Sequence, residues 1–97
     1  MEVLADVKFL EIDRSKYDFK YVDGCWPFIS YSKLDGKAGC QLYFGAQGEA
    51  FDGDLAEVTI RFLDESIHIG KLNVGDDFSL YVSNVQIAAG KVKILAM

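Results

Sequence analysis

The chain has one proline, one histidine, one tryptophan and two cysteines in 97 residues, and each scarcity removes a class of protein. Cys25 and Cys40 cannot build the disulfide framework of a small secreted domain. Their spacing fits no structural zinc pattern, and His68 is the sole histidine. No apolar run approaches the ~18 residues of a membrane-spanning helix. The opening residues Met1 to Asp6 lack the basic start and long apolar stretch of a secretory signal. A cytoplasmic protein with reduced thiols and no membrane contact is the expectation. Phosphate-binding glycine motifs are missing, and so is helical periodicity. Cationic excess is missing too: ten Lys and Arg face fifteen Asp and Glu, for a net charge of -5. That balance argues against general nucleic-acid binding, which needs clustered cations.

Apolar residues make up 51% of the chain and aromatics 13%, enough to exclude disorder. A chain of this size forms a single domain, here residues 1–97, and buries roughly 60–68% of its unfolded surface. The apolar residues alternate, or cluster in short runs between turn signals, which is the strand pattern. Val3, Ala5, Val7 and Phe9 point one way, and Asp6 and Lys8 the other. Tyr17, Phe19 and Tyr21 alternate after a loop at Asp13–Lys16, and Asp23–Gly24 turns the chain. Strands are expected at Phe28–Lys33, Gly39–Phe44, Leu55–Leu63, Ile67–Gly70, Phe78–Val82, Val85–Ala88 and Lys91–Leu95. Ala89–Gly90 is read as a joint between the last two. The expected core contains Val7, Phe9, Tyr43, Val58, Ile60, Phe62, Phe78, Leu80, Val92 and Ile94. Short strands with glycine-rich turns imply an all-β fold, a small antiparallel barrel or sandwich.

Four stretches carry a resemblance. Gln41-Leu42-Tyr43-Phe44 is similar to a Gln-Phe-Tyr-Phe strand in the C-terminal β-barrel domain of translation elongation factor Tu. Asp52-Gly53-Asp54 and the strand Val58–Leu63 resemble its Pro-Gly-Asp turn and following strand. Gly75–Val82 and Val85–Val92 look like its closing hairpin, and Trp26-Pro27-Phe28 matches a Pro-Phe before its second strand. The order of these segments spans the chain, and it implies a six-stranded closed antiparallel barrel. In that family arginines in the strands and turns help hold transfer RNA. At the matching positions this chain has Tyr81-Val82-Ser83-Asn84, Val85-Gln86 and Ala38-Gly39-Cys40. The resemblance therefore implies the scaffold without its RNA contacts, and a fold alone does not fix a function.

Chemistry is sparse. A nucleophile–base pair would need His68 with Cys25 or Cys40, yet His68 lies between Ile67 and Ile69 and is expected to point outward from a short strand. Asp52 and Asp54 flank Gly53 as turn residues, and no calcium-loop spacing occurs. Neither enzymatic activity, nor a cofactor, nor a small-molecule substrate is expected. Two segments stand out instead. Glu49, Asp52, Asp54, Glu57, Asp64 and Glu65 crowd one stretch with Arg61 as its only base, either a solvated sheet edge or a docking face for a basic partner. Tyr17, Phe19, Tyr21, Trp26 and Phe28 form an aromatic segment, a residue class that anchors interfaces. Glu49, Asp52, Glu57, Asp64, Glu65, Tyr17, Tyr21 and Trp26 are thus the candidate partner-binding residues. The leading expectation is a protein-binding barrel, in one version an immunity-type inhibitor of a basic toxin or nuclease. The alternative is a translation-associated or nucleic-acid-binding barrel.

Overall fold

Alternation decides the first strand. Val3, Ala5, Val7 and Phe9 are all buried in β1 (Glu2–Phe9), with Asp6 and Lys8 exposed between them. The computed structural model describes residues 2–96. After β1 come β2 (Tyr21–Val22), β3 (Phe28–Ser30), β4 (Ala38–Tyr43), β5 (Glu49–Ala50), β6 (Leu55–Phe62), β7 (Asp77–Val82) and β8 (Val85–Ala96). Six of them close into an antiparallel barrel in the order β1-β6-β4-β3-β7-β8, and β8 pairs back onto β1. The small strands β2 and β5 pair with each other outside it. Closure leaves no barrel strand with a free edge. β6 in particular is paired on both sides, by β1 and β4, so its one acid, Glu57, does not lie on an exposed edge.

The interior is filled by inward residues of every barrel strand, among them Ile29, Leu42, Ile60, Leu80 and Val92, each no more than 1% exposed. Two expected core residues lie elsewhere. In β4 the inward phase belongs to Cys40 and Leu42, continued by Phe44. Tyr43 therefore faces out, half-buried under the Arg61 guanidinium at 5.2 Å. A one-residue change of phase moves every side chain of a strand to the other face. Ile94 is exposed for a different reason. Leu4 pairs with Ile94 but Ala5 with Val92, so Lys93 is an extra residue in β8. This bulge flips the alternation, leaving Ile94 outside and Leu95 packed against the core.

Strand continuity also differs from expectation. Val85–Ala96 is one strand that passes straight through Ala89–Gly90. Gly90 sits opposite Phe78, and a Cβ on it would lie 2.5 Å from the Phe78 ring and 2.7 Å from the Asp6 carbonyl oxygen. It is a packing glycine. Ile67–Gly70 is not a strand. Residues Glu65–Ile67 form a short 3-10 turn whose N-cap Asp64 accepts from the Ser66 amide. The chain then crosses the mouth of the barrel with His68 buried and both Ile67 and Ile69 exposed, the reverse of the expected orientation. A second 3-10 turn spans Gly45–Gln47. Among the described residues no helix is long and apolar enough to cross a membrane.

Candidate functional site

The register places the two ends of the barrel. Lys8 pairs with Leu55 at one end, and Glu2 with Arg61 at the other. The first end is covered by an annex made of the chain between β1 and β3 together with the segment around β5. Phe9 closes it from below, with its ring 4.6 Å from that of Tyr21 and 5.8 Å from that of Phe44. Phe19 lies 5.8 Å from Tyr21, and Tyr17 lies 6.5 Å from Phe19. Such spacings are those of favourable aromatic pairs. Aromatic alternation in residues 17–21 therefore builds a lid of mutually tilted rings, and only Tyr21 within it is fully buried.

Arg14 fastens this lid. Its Nε donates to Asp52 Oδ2 at 2.9 Å and its Nη2 to Asp52 Oδ1 at 2.6 Å, a two-pronged pair. A third donation goes to the Phe19 carbonyl, and the guanidinium lies 5.2 Å and 5.3 Å from the Phe19 and Tyr21 ring centres. The Arg14 contact holds the Asp52 carboxyl below its ordinary range. The Tyr21 hydroxyl is buried with no hydrogen bond of normal geometry. Burial, and then the neighbouring Asp52 charge, push its pKa up to about 12. Tyr21 is consequently a neutral phenol throughout the physiological range.

Against the β2–β5 pair the annex leaves a hollow of about 470 Å³ whose walls include Phe19, Tyr21, Val22 and Phe51, with Asp18, Glu49 and Asp52 among its polar residues. A smaller hollow of about 170 Å³ shares Phe19, Lys20 and Tyr21 and adds Trp26. Around this ridge large apolar side chains stand in solvent: Trp26 at 64% exposure, Phe51 at 63% and Val22 at 42%. No protein-family profile matches the chain. No curated protein is significantly similar to it.

Of the eight candidate binding residues, Tyr17, Tyr21, Trp26, Glu49 and Asp52 come together in or beside the annex. Glu57 does not join them. It points outward from β6 and accepts from Lys93 Nζ at 2.6 Å, with Asp6 3.7 Å from the same ammonium. Asp64 and Glu65 belong to the loop at the opposite end. The acidic run is contiguous in sequence and scattered in space, and several of its members carry internal duties. Asp52 holds Arg14, Asp54 accepts from the Phe51 amide at 2.9 Å, and Asp64 caps a turn. Phe51 and Val22 escaped the sequence reading. Phe51 precedes a turn, and Val22 ends a two-residue strand, so neither gives a periodic signal.

Among the described residues no group of three or more His, Cys, Asp or Glu could hold a metal ion. The Cys40 thiol is buried, donates to the Pro27 carbonyl at 3.5 Å, and has its pKa pushed up to about 12 by burial. Cys25 is half-buried and its pKa is also raised by burial. Both thiols are free, and a raised pKa lowers the fraction present as the reactive thiolate.

Proposed function

We propose that the chain is a non-enzymatic protein-binding module whose partner docks on the annex. A single observation carries the reading: Trp26 and Phe51 stand largely in solvent, and Val22 partly, on either side of an aromatic ridge. Exposed tryptophan and phenylalanine on an ordered support are the residue types that dominate interface energetics. The ridge itself is fixed from below by Phe9 and from the side by the Arg14–Asp52 pair, so little ordering remains to be done on binding.

A basic partner suits the surface. Arg14 is already neutralised by Asp52, which leaves Asp18 and Glu49 against Lys20 on the rim of the larger hollow. The net charge of -5 favours encounter with a cation-rich protein at a distance. An inhibitor or immunity-type role against a basic toxin or nuclease is the finer form of the proposal. The resemblance to the elongation factor barrel supports the scaffold part of this reading. It does not support RNA binding, because the matching basic positions are occupied by neutral residues.

The test is comparative capture. The immobilised chain is exposed to its host lysate beside two variants, Trp26→Ser with Phe51→Ser, and Glu49→Lys. A basic protein retained by the wild type should be lost from the double variant and weakened by Glu49→Lys, with salt lowering its association rate. Retention that ignores all three substitutions would move the interface off the annex. Recovery of transfer RNA in its place would overturn the protein-binding reading.

A further inference from the structure

The opposite mouth of the barrel is spanned by residues 63–76, which lead from β6 to β7. At its edges this loop is tied to strands: the Leu63 amide donates to the Gly39 carbonyl, and Gly75 and Asp76 exchange hydrogen bonds with Val92. Between those ties the backbone bonds close on the loop itself, as in His68 to Glu65, Lys71 to His68 and Asp76 to Asn73. Two side chains, His68 and Leu72, are the buried ones in this span. Leu72 supplies ordinary apolar burial. His68 is a polar pin: its ring stacks on Phe62 with centres 4.0 Å apart, and its Nδ1 lies 2.7 Å from the Tyr31 hydroxyl. Its Nε2 is buried with no partner. A neutral imidazole accommodates this in the tautomer whose Nδ1–H donates to the Tyr31 oxygen, because the unmatched Nε2 is then a lone pair. An imidazolium carries N–H on both nitrogens, and a buried unpaired charge is far more costly.

We propose that protonation of His68 unlatches the 63–76 loop from the mouth of the barrel while the six-stranded ladder stays closed. The loop has the joints for such a movement, since Gly70 and Gly75 have φ of +79° and +89°, where glycine alone moves without a side-chain penalty. The charged groups that act on His68 are Asp64 and Lys71 of its own loop, and they oppose each other. Asp76 acts on the Tyr31 partner. Phe62, on β6, brings no charge. Asp64 is held below its ordinary range by Ser66, so it stays ionised across the window in which the imidazole titrates.

The sign follows from burial, which lowers the His68 pKa below its ordinary value of 6.5 when the loop is closed. With the loop open the ring regains that ordinary value. Above pH 6.5 both states are neutral and the latch holds. Below it the open state takes up the proton first, and opening is favoured until the closed-state pKa is reached. The effect on the opening equilibrium is up to about tenfold between pH 7.5 and pH 5.5.

Amide hydrogen exchange on the full chain tests the latch, with rates corrected for intrinsic pH dependence. Protection of residues 64–74 should fall by up to about tenfold between those pH values, while β1 and β6 stay protected. His68→Gln, which keeps a polar head for Tyr31 but cannot titrate, should abolish the pH dependence. Equal loop protection at both pH values would overturn the proposal. So would loss of protection in loop and strands together, or a pH dependence that survives His68→Gln. Should that variant fail to fold, the wild type still decides. With a single histidine its imidazole resonance is unambiguous, and an apparent pKa at or above 6.5 by magnetic resonance titration would overturn the latch.

Discussion

Gly90→Ala is the substitution whose consequence the packing specifies most tightly. An alanine Cβ there would stand 2.5 Å from Phe78 Cζ, 3.0 Å from Cε1 and 2.7 Å from the Asp6 carbonyl oxygen, against a comfortable carbon contact of roughly 3.5–4.0 Å. The Phe78 ring is 3% exposed and cannot swing into solvent. Asp6 is backbone in the middle of β1, which is paired on both sides, so moving its carbonyl disturbs the seam that closes the barrel. Overpacking of this kind costs ~1–3 kcal/mol, and a backbone obstacle argues for the upper half of that range. Loss of glycine's freedom in the unfolded chain returns ~0.4–1 kcal/mol. The net expectation is a destabilisation of about 2 kcal/mol, or a midpoint lowered by roughly 8–16 °C in a domain this small. Urea unfolding followed by far-ultraviolet circular dichroism is the assay, since Trp26 is 64% exposed and its fluorescence reports burial poorly. Phe78→Leu resolves the cause. In that background the ring obstacle is gone and the Asp6 obstacle remains, so Gly90→Ala should still destabilise, by less. A Gly90→Ala protein as stable as the wild type would show that the glycine is a mere joint and that the close approach is not real.

Two further substitution and labelling outcomes follow from burial. Ile60→Ala removes a fully buried side chain and should cost about 2–5 kcal/mol in the same unfolding assay. Tyr43→Ala, on the outer face of the neighbouring strand, should cost less, and the reverse order would place β4 in the opposite phase. Native alkylation at pH 8, followed by mass spectrometry, should modify half-buried Cys25 slowly and Cys40 only after unfolding, because burial pushes the Cys40 thiol up to about 12. Labelling of Cys40 at the rate of Cys25 would contradict its place in the core.

What the sequence revealed depended on how local the determining interaction is. β1 and β6 have one buried face each and a clean period of two, so their inward residues were legible one by one. The turn spacing made an antiparallel barrel or sandwich legible, and the closed six-stranded form observed is the one of those two that needs pairing between β1 and β8. Phase failed where a partner strand set it. The bulge at Lys93 depends on how β1 pairs with β8, and nothing in Val92-Lys93-Ile94 announces it. Gly90 looked like a turn because glycine marks both turns and close approaches, and only the ring of Phe78 distinguishes them. His68 between two isoleucines looked like an outward polar residue in a strand. Its burial depends on Tyr31, thirty-seven positions away. For the candidate residues, the clustering of the aromatic segment was legible and the scattering of the acidic one was not. Contacts between the rings begin with neighbours in sequence, whereas the ion pairs of Asp52 and Glu57 were decided by Arg14 and Lys93 arriving from elsewhere.

The two mouths of the barrel are closed by opposite means, and this bears on which one can serve as a docking face. The annex end is sealed by Phe9, Tyr21 and Phe44, with one hydroxyl whose pKa of about 12 keeps it neutral. Nothing in that stack changes charge between pH 5 and 8, so the support beneath Trp26 and Phe51 is constant over that range. The far end is sealed by an imidazole with an unmatched nitrogen, under a loop whose backbone bonds are mostly its own. A rigid interface and a movable loop on one small barrel would interfere if they shared a mouth. Here a strand of eight residues separates them, and β1 is held on both sides by long ladders. Opening the His68 loop should therefore leave partner affinity at the annex unchanged. Affinity measured for any captured partner at pH 7.5 and pH 5.5, in wild type and His68→Gln, is the check. A pH dependence of binding that disappears in His68→Gln would show that the two ends are coupled through the barrel after all.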